Sequence, residues 1–151
     1  MSDIAKLQAE IKELRQLAER AYRYEIPRWM HLQTPLTSTS WDGDAYSTTA
    51  KTKIDLSAVF AVPAGVKAVI IRIVCRDSGS ATDNTIYVAV APNDTAASHM
   101  VIARPGGLPA DYIAEAQSVC TCDANGDIYY QIDASGSGTM DVWLEIWDYE
   151  I

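Results

Sequence analysis

The chain has 151 residues, of which 48% are hydrophobic, which is enough for one packed domain and an appendage. Its formal net charge of -8 argues against nucleic acid and anionic membranes as partners, because both attract a clustered basic surface. No apolar run approaches the ~20 residues of a membrane-spanning helix, the charged N-terminal residues predict no signal peptide, and the odd number of cysteines suits synthesis in a reducing compartment.

Residues 1–25 predict an amphipathic helix that forms a coiled coil for oligomerisation or anchoring. With Ile4 at heptad position a, apolar residues alternate between positions a and d over about three heptads. This heptad row consists of Ile4, Leu7, Ile11, Leu14, Ala18 and Ala21. Glu10 falls at g and Arg15 at the following e, the spacing that pairs charges between neighbouring chains of a parallel coiled coil.

Two interpretations of this helix are open. The apolar stripe is narrow, and an isolated helix of this length is marginal without a partner, so we expect the helix to associate with copies of itself. The alternative is that it lies across its own β domain, as most amphipathic helices do. Isoleucine at a with leucine at d favours two strands, although the two alanine layers weaken that preference.

Residues 26–52 form a predicted bridge that is extended and aromatic. Pro27 and Pro35 disfavour a regular helix and a central strand. Trp29 and Trp41 are too apolar for a flexible linker, because large aromatic side chains are stabilised by burial. We therefore expect the bridge to lie against a surface, which is its own domain, a neighbouring subunit or a larger assembly.

Residues 53–151 predict a β domain of seven or eight strands with no helical period. Short apolar runs are separated by turn signals such as Pro63-Ala64-Gly65 and Asn125-Gly126. The run at residues 66–76 is apolar on both faces, which is typical of a central strand. The fold class expected is therefore mainly β, an antiparallel β-sandwich or jelly roll behind an N-terminal coiled-coil helix.

The outward face of the last strand is unusually aromatic. Alternation places Trp143, Trp147 and Tyr149 on this face, and Tyr129 on the outward face of the preceding strand. A solvated strand face does not normally hold two tryptophans, so we expect either a subunit interface or a platform on which a glycan stacks.

No catalytic constellation, metal site or cofactor motif is indicated. The two histidines, His31 and His99, have no nucleophile motif near them in sequence, and Cys120 with Cys122 lacks a second ligand pair. Residues 123–127, "DANGD", resemble the start of a calcium loop. However, the position of Gly126 and the absence of an acidic twelfth residue favour a hairpin turn. The sequence predicts a protein that is not an enzyme.

The layout of coiled coil, aromatic bridge and β domain resembles small virion proteins of tailed bacteriophages, such as head fibres, capsid decoration proteins and short tail-fibre components. The segment "KIDLSAVFAVPAGVKAVIIRIVCRDSGS" at residues 53–80 is similar to stretches of phage and prophage structural proteins. The resemblance implies a trimeric or otherwise symmetric homo-oligomer that is made in the host cytoplasm and incorporated into the virion. It also implies contact with other virion proteins such as the major capsid protein.

Two further functions are kept as alternatives to capsid decoration. One is a receptor-binding tail-fibre component that contacts a host-surface glycan. The other is a carbohydrate-binding module that uses the aromatic strand face. Head and tail locations are not distinguished by the sequence.

Overall fold

The computed structural model describes residues 3–25, 28–41, 43, 50–95 and 98–151. Two helices and eight strands lie in these ranges. The helices are α1 (Asp3–Glu25) and α2 (Leu56–Phe60). The strands are β1 (Trp29–Leu36), β2 (Thr52–Ile54), β3 (Ala68–Asp77), β4 (Tyr87–Ala91), β5 (Val101–Ala103), β6 (Ala114–Thr121), β7 (Ile128–Asp133) and β8 (Met140–Glu150).

The strands form two four-stranded sheets with antiparallel pairing. The first sheet has the order β1-β8-β3-β6 and the second the order β2-β7-β4-β5. Buried side chains from both sheets, including Ile73 of β3, Ile132 of β7 and Leu144 of β8, belong to one hydrophobic cluster. The prediction of a mainly β fold with an N-terminal helix is confirmed.

β3 is an interior strand of the first sheet, as its apolar composition predicts. Its inward side chains are fully buried, and they are Val69, Ile71, Ile73 and Cys75. On the outward face, Ile70 and Val74 are half-buried. The strand is therefore covered completely on one face and partly on the other.

Residues 56–60 form a short helix where the sequence predicted only strands. Asp55 is the N-cap, because its side chain accepts hydrogen bonds from the Ala58 backbone N–H at 2.9 Å and from Ser57 Oγ at 2.7 Å. Leu56 and Phe60, four residues apart, are both buried in the core. One helical turn is too short to leave a periodic pattern, so the expectation of no helix after residue 53 was wrong.

Part of the predicted bridge is a strand. β1 pairs with β8 at the edge of the first sheet, and its register is irregular between His31 and Leu36, where Pro35 lies. A proline is tolerated there because an edge strand does not need every backbone donor. Of the surfaces considered for this segment, β1 lies against its own β domain.

A β-bulge divides β8 into two halves. Ile70 pairs with Asp148 and Ile71 with Ile146, so Trp147 is an extra residue on β8. The bulge reverses the alternation beyond it, and Tyr149, opposite the buried Val69, packs against the core. The sequence-based placement of Tyr149 on the outward face was therefore wrong.

Candidate functional site

The heptad row of α1 is exposed along its whole length. Its large side chains are exposed by between 44% at Ile11 and 70% at Ile4. Ala18, Ala21, Glu10 and Arg15 are exposed as well. Every α1 side chain that the structure describes is exposed except the half-buried Ala5. The interpretation in which the heptad row packs on its own β domain is not what the structure shows.

The net charge of the chain is unevenly distributed between the helix and the sheets. α1 contains five basic and five acidic residues, so the entire formal charge of -8 lies outside it. Copies of α1 can therefore approach one another without net repulsion, whereas copies of the acidic β domain repel one another.

The structure does not bring the predicted aromatic platform together. Trp143 and Trp147 lie on β8 in the first sheet, whereas Tyr129 lies on β7 in the second. The Tyr129 hydroxyl donates to Asp123 Oδ2 at 3.3 Å, which ties that ring to the neighbouring turn. With Tyr149 turned inward, the aromatic residues of the outward face of β8 are Trp143 and Trp147 alone.

Paired charges cover the outward face beside these tryptophans. Arg72 of β3 donates to Glu145 of β8 at 3.1 Å and to Glu115 of β6 at 2.5 Å. These two bonds hold the pKa of Arg72 above its ordinary value, so the guanidinium stays charged. Trp147 Nε1 also donates to Glu145 Oε2 at 3.1 Å. The Glu145 carboxylate is thus fixed from two sides.

Trp143 stands next to a second ion pair on the same face. Arg76 Nε lies 2.6 Å from Asp141 Oδ2, and its guanidinium carbon lies 5.7 Å from the centroid of the Trp143 ring. This is cation–π distance, and it orients the ring while leaving Trp143 46% exposed. The Trp143 ring is therefore oriented by Arg76 and still accessible from solvent.

A cleft of about 460 Å³ opens between β8 and the segment that follows β1. Its described lining consists of Thr37, Ser38, Thr39, Trp41, Phe60, Arg72, Val74, Val142, Trp143, Leu144 and Glu145. The cleft exists because the pairing of β1 with β8 ends at Leu36, opposite Ile146, and the chain then diverges from β8.

The wall opposite β8 is held in place by a turn and an aromatic contact. Ser38 Oγ accepts hydrogen bonds from the backbone N–H groups of Ser40 at 3.1 Å and Trp41 at 3.2 Å. The Trp41 ring packs edge-on against Tyr130, with 5.4 Å between centroids. Thr37 and Thr39, which flank Ser38, are exposed.

Sequence reasoning missed this cleft. Arg72, Thr37 and Thr39 were not singled out, and Trp41 was noted only as a residue in need of burial. The one available signal was the run of hydroxyl side chains in "LTSTSW", residues 36–41, beside an aromatic residue. Nothing in the sequence placed that run next to β8.

The remaining candidate groups have structural partners. Asp123 Oδ1 accepts from the backbone N–H groups of Asn125 at 2.8 Å and Asp127 at 3.0 Å, which forms a turn. This turn joins β6 of the first sheet to β7 of the second, so the prediction of a hairpin at this position was wrong. His31 Nδ1 lies 3.0 Å from Asp148, and His99 Nε2 lies 3.2 Å from Gln131. Within the described ranges, no three His, Cys, Asp or Glu side chains are grouped as a metal site requires.

The three cysteines are free thiols in or beside the core. Cys75 and Cys120 are buried and Cys122 is half-buried. Burial raises the pKa of each thiol to about 12. They stay protonated at neutral pH, which makes them poor nucleophiles and metal ligands.

Neither helix of the described part has both the length and the apolar composition needed to cross a bilayer. No protein-family model matches the sequence, and no curated protein is significantly similar to it.

Proposed function

We propose that this protein is a non-enzymatic, oligomeric structural component in which the heptad row of α1 joins copies of the chain. The observation that carries the proposal is the exposure of the whole heptad row on a helix next to a β domain whose core is complete without it. An apolar row that its own fold leaves uncovered is typical of an interaction surface.

The energetics favour association through this row. Burying one large aliphatic side chain contributes roughly 1.5–3 kcal/mol, and each chain offers four of them: Ile4, Leu7, Ile11 and Leu14. A lone amphipathic helix of α1's length has no tertiary contact to stabilise it, whereas a coiled coil stabilises each helix through its neighbours. Glu10 and Arg15 on adjacent chains would add a charge pair and favour parallel alignment.

The charge distribution favours an arrangement in which the helices meet and the β domains spread apart. The two sheets, which share one hydrophobic cluster, form a β-sandwich in this proposal. A trimer is the favoured state and a dimer is the alternative. Residues 1–25 are the assembly or anchoring unit, and the acidic β domain is the displayed unit.

The proposed setting is a tailed-bacteriophage virion, in which the protein decorates or projects from the capsid and contacts a neighbour such as the major capsid protein. Support for this setting comes from the resemblance of residues 53–80 and of the overall layout to phage structural proteins. Stoichiometric recovery of the chain in purified particles is the expected result. Recovery only in the soluble fraction of infected cells would contradict the setting.

The assembly role is tested by a charge-matched pair of double variants. Ile11→Lys with Leu14→Lys places two charges in the heptad row, and Ala9→Lys with Gln16→Lys places the same charges at two f positions on the opposite side of the helix. Sedimentation equilibrium should give a monomer for the first variant and an oligomer for the second, with equal thermal stability of the β domain. Equal masses for the two variants would contradict the assembly role.

A further inference from the structure

We propose that the cleft between β8 and residues 37–41 is a binding site for a neutral saccharide, with the Trp143 ring as its stacking surface. The proposal concerns the β domain alone and does not depend on assembly through α1. It replaces the broad aromatic platform of Tyr129, Trp143, Trp147 and Tyr149 with a smaller concave site on one sheet.

Trp143 supplies the apolar part of the site. A pyranose ring has a face of C–H groups that packs against an indole, and large aromatic side chains gain most from such contact. Trp143 is 46% exposed on the outward face of β8, although tryptophan side chains are highly buried on average. Its ring is held by Arg76, so little ordering is needed on binding.

Hydrogen-bonding groups surround this surface. Among the described residues, both hydrogen bonds to Glu145 go to Oε2, which leaves Oε1 to accept from a sugar hydroxyl. Arg72 holds that carboxylate in place and itself lines the cleft. On the opposite wall, the exposed hydroxyls of Thr37 and Thr39 can both donate and accept.

The size and the charge of the cleft select the ligand class. A volume of about 460 Å³ lies within the range of roughly 300–1,000 Å³ typical of small-ligand sites. Arg72 is matched by two carboxylates, Glu145 and Glu115, so the local charge is negative. This charge disfavours sialic and uronic acids and favours neutral hexoses and N-acetylhexosamines.

A second copy of the chain is a poorer occupant than a sugar. The charged groups around Trp143 sum to one negative charge, since Arg72 and Arg76 are paired with Glu115, Glu145 and Asp141. The β domain of another copy carries an excess of negative charge as well. Two such surfaces would repel each other unless a basic patch faced them.

The test is a titration of protein labelled with nitrogen-15 on its tryptophans, followed through the indole N–H signals. The probes are the methyl α-glycosides of glucose, galactose and mannose, with N-acetylglucosamine, each to about 50 mM, a range that detects millimolar affinity. At least one probe should shift the Trp143 signal saturably. N-acetylneuraminic acid should bind at least tenfold more weakly.

Three variants separate the cleft from other causes. Trp143→Ala should weaken binding about tenfold or more, because it removes the stacking ring. Trp29→Ala, a tryptophan on the same sheet outside the cleft lining, should leave affinity unchanged. Thr37→Val with Thr39→Val keeps the side-chain shape, removes both hydroxyls and should also weaken binding, which covers the case in which Trp143→Ala fails to fold.

The proposal is overturned by any of four results. These are no saturable shift with any neutral probe, shifts confined to signals other than that of Trp143, unchanged affinity in the threonine variant, and a Trp143 signal that moves with protein concentration rather than with sugar. Binding should be retained by the Ile11→Lys, Leu14→Lys variant. Loss of sugar binding in that variant would contradict the independence of the cleft from assembly. Equal masses of the two double variants in the sedimentation experiment would contradict the assembly role but not the sugar site.

Discussion

The same kinds of apolar side chain stand in opposite surroundings in α1 and in β3. Ile71 and Ile73 of β3 are fully buried, whereas Ile4 and Ile11 of α1 are 70% and 44% exposed. β3 has sheet neighbours on both sides and the shared core beneath it. The comparison shows that the β domain completes its core from its own residues, and that the heptad row of α1 takes no part in that core.

The largest expected effect that sharpens this comparison is a core truncation. Ile73→Ala removes a fully buried side chain between the sheets and should lower the free energy of unfolding of the β domain by about 2–5 kcal/mol. Leu14→Ala removes a similar side chain from α1 and should leave the free energy of unfolding of the β domain unchanged within about 0.5 kcal/mol. Denaturant unfolding followed by tryptophan fluorescence checks both. Similar losses of unfolding free energy in the two variants would contradict the conclusion that α1 takes no part in the core of the β domain.

The second-largest expected effect comes from removing the side chain of Asp77, at the end of β3. This buried carboxylate accepts hydrogen bonds from Ser135 Oγ at 2.5 Å, the Gly79 N–H at 2.7 Å and Thr139 Oγ1 at 3.0 Å. Asp77→Ala leaves these donors without their acceptor and should destabilise the β domain by about 3 kcal/mol. The exposed control Asp94→Ala should cost less than about 0.5 kcal/mol in the same unfolding assay.

Asp77 also predicts a dependence of stability on pH. Burial acts to raise its pKa, but the hydrogen bonds from Ser135, Gly79 and Thr139 outweigh burial and lower the pKa below the ordinary 3.8. The unfolded chain therefore binds a proton more readily, and the stabilisation is complete above the unfolded pKa and lost as pH falls through the folded pKa. The difference in melting temperature between wild type and Asp77→Asn should thus be constant above about pH 4 and narrow as pH falls below it. A constant gap between them at all pH values would contradict this.

The smallest expected effect is the difference in stability loss between alanine substitutions at two glycines that both have positive φ. A Cβ at Gly126, where φ is 87°, would lie 2.8 Å from the Gly65 nitrogen, whereas at Gly138, where φ is 68°, nothing lies within 4 Å. Gly138→Ala should cost about 1 kcal/mol from backbone strain, and Gly126→Ala about 2 kcal/mol because the clash adds to it. Equal losses in a thermal melt would show that the turn at residues 123–127 does not press on the turn at Gly65.

Local pattern was sufficient to predict some features of this molecule. Heptad spacing predicted α1, the alternation of Val142 and Leu144 predicted the buried face of β8, and Asn125-Gly126 predicted a turn. Each of these depends on residues close together in sequence, where propensity and alternation act directly. The N-cap residue Asp55 was also a local signal for α2, but a helix of one turn is too short to show a helical period in the sequence.

The features that were missed depend on long-range pairing. The bulge at Trp147 reverses the orientation of Tyr149, and a register shift of this kind leaves no mark in the alternation of a single strand. β7 and β8 follow each other in sequence but belong to different sheets, which separates Tyr129 from Trp143. The cleft depends on where β1 leaves β8, so only the paired strands show it.

The central claim, that α1 joins copies of the chain, is tested most directly by the light-scattering mass of the intact protein at micromolar concentration. The account predicts a whole multiple of the 16.5 kDa chain mass, with three copies favoured over two. A mass of 16.5 kDa that does not change with concentration would contradict it.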